Sequence, residues 1–130
     1  MSKSEIELFV KKANKYIKSS ELLLNYGDYE SSVSRAYYSM YYMGKAVLLL
    51  KNRKPKTHSG VISEFSKYFI KTNVLSKALI ESLKKGFEAR KLGDYNIDTE
   101  IDKEEANDLL LSAKNFCDDI EEYLKKNKFI

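Results

Sequence analysis

Cysteine, proline and histidine are almost missing from this chain, whose 130 residues contain one of each. The lone cysteine, Cys117, excludes an intramolecular disulfide framework and any multi-cysteine zinc site. It falls in line with Ala113 and Ile120 on a helical pattern and is expected as a small core residue. One proline and five glycines are too few for an all-β chain with its many tight turns. No apolar run approaches the ~20 residues that a membrane span needs. The first residues, MSKSEIELFVKKANKYIK, place charges where a signal peptide would carry its apolar core. A cytoplasmic protein is the expectation. A single histidine cannot hold zinc by itself, and no metal-ligand spacing is visible. P-loop, dinucleotide fingerprint and nucleophile elbow are all absent, so no cofactor and no metal are expected.

What the chain does hold is 43% hydrophobic and 32% charged residues, the composition of a folded globular protein. Its length suits one domain over residues 1–130, large enough to bury a core without disulfides. The net charge of +4 conceals an uneven distribution. Residues 1–50 hold 7 Lys/Arg against 5 Asp/Glu, residues 51–91 hold 11 against 3, and residues 92–130 hold 5 against 11. A basic middle segment suits a phosphate-bearing partner. Equally, the acidic final segment can neutralise it within one fold.

Helical periodicity is strongest from Tyr29 to Leu50. Val33, Ala36, Tyr37, Met40, Tyr41, Gly44, Val47 and Leu48 share one helical face and predict the central helix. A second stripe on the same helix, Arg35, Tyr38, Tyr42 and Lys45, is cationic and phenolic, and suits a partner or ligand. Before it, a helix is predicted over residues 2–25. Gly27 supplies a left-handed turn and Asp28 a cap for the central helix, making the two antiparallel neighbours. A short third helix is expected after the basic stretch KNRKPKTHSG, capped by Thr57 or Ser59. A fourth is expected over 75–92, stopped by Gly93, followed by an acidic loop over 93–102. Asp102 and Glu105 then resemble a capping box for the last helix. The predicted architecture is all-α: an up-and-down helical bundle of four long helices plus one short helix.

Two places invite chemistry. Arg90 projects from the apolar side of the fourth helix, where a cation must find partners. It can pair locally with Asp94, or it can join Arg35 and Tyr95 around a phosphate, using arginine's forked donors. His58, between Thr57 and Ser59, suits a helix terminus as a packing residue or as an acid or base.

The motifs SRAYYSMYYMGKAVLLL, KPKTHSGVISEFSKYFIK and FEARKLGDY, followed by EEANDLLLSAKNFCDDIEEYL, resemble in their order the HEPN family (higher eukaryotes and prokaryotes nucleotide-binding), short prokaryotic branch. The resemblance covers nearly the whole chain from about Val10. It implies a bundle that forms a homodimer. It also implies a minimal nucleotidyltransferase as partner in a toxin–antitoxin-type pair, and binding of a nucleotide or single-stranded RNA. Many family members are metal-independent ribonucleases with Arg followed, after four to six residues, by His. In these the Arg holds the phosphate, the His moves the ribose 2′-hydroxyl proton, and two copies meet across the dimer. This chain departs there. With four residues between, Arg90 is followed by Tyr95, and with six between, Arg35 is followed by Tyr42. Tyrosine, with a reference pKa near ~10, is a poor base at neutral pH. The resemblance therefore implies an interaction module, binding through Arg35, Tyr38, Tyr42, Arg90 and Asp94. The alternative is a ribonuclease with a divergent centre of Arg90, Tyr95 and His58.

Overall fold

The structure, a computed structural model, describes residues 3–95 and 100–130, the side chains of 94 and 95 excepted. Five α-helices follow one another: α1 Lys3–Tyr26, α2 Tyr29–Leu48, α3 His58–Phe65, α4 Lys77–Tyr95 and α5 Lys103–Lys126. Four are long and α3 is short, as the periodicity predicts. Among the described residues, no helix is long and apolar enough to cross a membrane.

Several boundaries have a local cause. Gly27, at φ +96°, makes the left-handed turn that ends α1, and its amide donates to Leu23 and Leu24 carbonyls. Asp28 then caps α2, its carboxylate accepting from the Ser31 amide at 3.1 Å. A 3₁₀ turn, Leu49–Lys51, closes α2 on Asn52, which adopts the left-handed conformation. The helix α3 runs on into a π-helical segment, Ser66–Ile70. Asp102 caps α5 by accepting from the Glu105 amide at 2.8 Å.

The helix α2 packs against each of the other four. Its predicted apolar face is the core: Val33, Ala36, Tyr37, Met40, Val47 and Leu48 are all buried. Near the Gly27 turn, α1 and α2 are locked by two buried serines. Ser20 Oγ donates to the Ser32 carbonyl at 2.7 Å, and Ser32 Oγ returns a bond to the Ser20 carbonyl at 2.8 Å. These bonds satisfy polar groups that would otherwise be costly at a dry helix crossing. Cys117 is buried as expected. Its thiol donates to the Ser39 carbonyl at 3.6 Å, and burial pushes its pKa up to about 12, leaving it inert.

One expectation fails. Gly93 does not stop α4, which continues to Tyr95. The residue serves close packing instead: a Cβ there would meet Glu30 Cγ at 3.1 Å and Ile101 Cδ1 at 3.3 Å. Residues 93–95 of the expected acidic loop are therefore helical, and residues 96–99 lie outside the described residues.

Candidate functional site

The cluster around His58 is assembled from three helices, and glycines set two of the approaches. Thr57 caps α3 by accepting from the Gly60 amide at 2.9 Å. A Cβ on Gly60 would stand 2.8 Å from Thr57 Oγ1, so a side chain there would spoil the cap. The cap places His58 as the first residue of α3, aimed at α2. On the other side, a Cβ on Gly86 would come within 2.6 Å of Met40 Cε and 3.3 Å of Tyr37 Cδ1. Glycine there lets α4 lie against α2 and delivers Phe87 and Arg90 beside Tyr37.

His58 Nδ1 and Tyr37 Oη are 2.7 Å apart, a hydrogen bond whose donor depends on the imidazole tautomer. The bond occupies Nδ1 and leaves Nε2 for a ligand. Rings surround the imidazole: Tyr41 at 4.6 Å, Tyr37 at 5.6 Å, Tyr38 at 5.9 Å, and Phe87 stacked at 5.8 Å. The Arg90 guanidinium lies 5.1 Å from the Tyr38 ring and 6.0 Å from Tyr37. Arg90 and His58 thus flank the same two tyrosines, from α4 and α3.

The electrostatics follow from this packing. Burial, the Arg90 charge and the Lys45 charge each hold His58 below the ordinary histidine pKa. At neutral pH the imidazole is uncharged and able to accept a proton. Burial, then the neighbouring Tyr41, raise the Tyr37 phenol, while Arg90 opposes them. Tyr37 is therefore a neutral phenol that orients the imidazole.

Of the residues expected from sequence to carry function, His58, Arg90, Tyr38 and Tyr42 lie in one continuous cluster, with Tyr38 and Tyr42 half-buried. The stripe is not a free surface, because α1 covers part of it: Tyr42 stacks on Tyr16 at 5.5 Å and on Phe9 at 6.1 Å. Arg35 is exposed one ring further along, 5.3 Å from Tyr16, and does not share the ring neighbours of His58. Asp94 and Tyr95 belong to the end of α4, but their side chains, and with them the expected Arg90–Asp94 pair, lie outside the described residues. Tyr37, Tyr41 and Phe87 build the ring cluster around His58 although periodicity marks them only as core. Their aromatic character was the one available signal. Among the described residues, no group of three or more His, Cys, Asp or Glu side chains converges on a metal-sized site.

Comparison with known proteins gives a consistent result. Residues 6–123 match the HEPN domain. A Methanocaldococcus jannaschii protein, named provisionally as a toxin, is 44% identical over 94% of this chain and 83% of its own length. A Thermotoga maritima protein named UPF0332 is 34% identical over 95% of this chain and 93% of its own. A second M. jannaschii protein, also provisionally named a toxin, is 32% identical over 95% of this chain and 92% of its own.

Proposed function

Because this chain belongs to the HEPN domain family, we propose that it is a phosphate-binding interaction module, working as a homodimer with a minimal nucleotidyltransferase in a toxin–antitoxin-type pair. The ligand is a nucleotide or single-stranded RNA. The observation that carries this reading is the placement of Arg90 and His58 on either side of Tyr37 and Tyr38. A guanidinium offers forked donors to a phosphate, and His58 Nε2 offers one more polar contact. The provisional naming of two relatives as toxins supports the pairing.

A second reading, a metal-independent ribonuclease, draws on the same geometry. Arg90 would hold the scissile phosphate while neutral His58 takes the ribose 2′-hydroxyl proton. It is favoured by one specific observation: His58, remote from Arg90 in sequence, flanks the same Tyr37 and Tyr38 rings as the Arg90 guanidinium, and burial together with the Arg90 charge holds its pKa low. Labelled single-stranded RNA incubated with the protein in EDTA separates the two. The module reading expects binding that Arg90→Ala weakens at least tenfold, with the RNA intact. Cleavage by the parent protein, absent in both Arg90→Ala and His58→Ala, would establish the nuclease instead. RNA binding and nuclease activity both indifferent to Arg90 would remove the site altogether.

A further inference from the structure

The seam between α1 and α2 holds more than the Arg90 and His58 cluster uses. Four rings follow one another along it, Phe9, Tyr42, Tyr16 and Tyr38, with successive centroids 6.1, 5.5 and 5.9 Å apart. Every ring carries a cation. Lys45 Nζ lies 5.5 Å from Phe9, Lys12 Nζ 4.4 Å from Tyr42, the Arg35 guanidinium 5.3 Å from Tyr16, and Arg90 5.1 Å from Tyr38. Lys12, Tyr16 and Arg35 also line a groove of about 1140 Å³, to which Lys11, Lys15 and Lys18 contribute.

Like charges crowded on one surface repel, and the fold offsets this only in part through the aromatic faces. Lys12 and Lys45 stand at neighbouring rings, Tyr42 and Phe9, whose centroids are 6.1 Å apart. Among the described residues neither amine is ion-paired. Burial first, and the Lys12 charge second, hold the Lys45 amine below the ordinary lysine pKa. A half-buried amine that feels a second, unpaired amine at the neighbouring ring is poorly served by the protein alone and well served by an anion near both.

We infer that Lys12 and Lys45 form a second phosphate subsite, and that the α1–α2 seam from Arg90 to Lys45 is a track for one single-stranded polynucleotide. The inference rests on the reading of Arg90 and His58 as a phosphate site. Arg35 and Lys45 are ten residues apart on α2, about 15 Å at the helical rise. One phosphate cannot bridge that distance, so a mononucleotide fills only one end. The rings between are half-buried and offer their remaining faces and edges to bases, the combination of stacking platform and cationic groove that single strands require.

The test uses a labelled ten-nucleotide oligouridylate and, separately, uridine monophosphate, both titrated in EDTA over a series of KCl concentrations. Each phosphate contact of a single strand contributes about −0.7 to the slope of log affinity against log salt, so four contacts predict roughly −2.8. The double substitution Lys12→Met with Lys45→Met removes both charges but keeps an unbranched stem on the rings. It is expected to make the decamer slope shallower by about 1.4 and weaken its binding at least tenfold, leaving uridine monophosphate binding unchanged. A folded double variant with the parent's decamer affinity and slope would overturn the inference. So would a slope for the parent protein no steeper than about −1.4, whatever the variant does. Failure of the Arg90 and His58 reading would look different: uridine monophosphate binding would be indifferent to Arg90→Ala while the decamer still responded to the two lysines.

Discussion

Tyr37 Oη and His58 Nδ1 lie 2.7 Å apart although the residues are 21 positions apart in sequence, with a 3₁₀ turn and the chain's one proline between them. The contact couples the core to the site. Tyr37 is fully buried at the centre of α2, and its hydroxyl is the point where that core ends on a group able to exchange protons. Through this bond the imidazole's free nitrogen has a fixed direction, and its charge state answers to Arg90 and Lys45.

Replacing Tyr37 with Phe keeps the ring contacts and removes the bond. His58 Nδ1 then loses its partner in a half-buried position, and stability at pH 8 should fall by about 1 kcal/mol. The urea midpoint of the variant checks this. An unchanged midpoint would mean that water replaces the hydroxyl at no cost.

His58 also sets a pH dependence. Its folded-state pKa lies below the ordinary value of 6.5, so the unfolded chain binds the proton more readily. Stability is fully present above about pH 6.5 and is lost as pH falls toward the folded-state pKa. Above pH 5 ordinary carboxylates stay largely ionised, which isolates the histidine. The melting temperature should therefore drop between pH 7.5 and 5, and His58→Gln should flatten that drop.

Gly93 gives a test of the helix end. It lies within α4 and is not among the positive-φ glycines, so alanine fits its backbone. The new methyl would meet only side-chain atoms, of Glu30 and Ile101, which must give by a few tenths of an ångström. With helix propensity favouring Ala by about 0.8–1 kcal/mol, Gly93→Ala should hold or raise the melting temperature. A fall of several degrees would restore Gly93 as a left-handed stop.

Lys45 separates function from architecture. Its amine carries an unfavourable burial and the repulsion of Lys12. Lys45→Met should leave the melting temperature unchanged or higher, because the charge contributes little to the fold. A fall of several degrees would make the amine a structural anchor for the Phe9 and Tyr41 rings.

Much of this fold was legible in the sequence because helix-forming signals are local. The Val33 to Leu48 stripe, the Asp28 and Asp102 caps and the Gly27 turn each act within a few residues, and each stands where expected. Gly93 misled for a non-local reason: its space is demanded by Glu30 and Ile101, not by its own backbone. The site was legible only in pieces. Periodicity marks Tyr37 as core, which it is, but does not reveal what its hydroxyl reaches across an intervening loop. Likewise it marks Tyr38 and Tyr42 as a separate stripe without showing that Phe9 and Tyr16 of α1 cover part of it. Nor does spacing alone bring Arg90 and His58 to the same pair of rings.

The most direct test of the central claim, that Arg90 and His58 form one phosphate site, is the NMR titration of the His58 ring protons with and without saturating uridine monophosphate. Without ligand, the pKa should lie below 6.5 and rise in Arg90→Ala. With ligand, the pKa is expected to shift upward, because a bound phosphate anion favours the imidazolium. That ligand-induced shift should vanish in Arg90→Ala. Superimposable His58 titration curves with and without nucleotide, at concentrations where binding is independently measured, would contradict it.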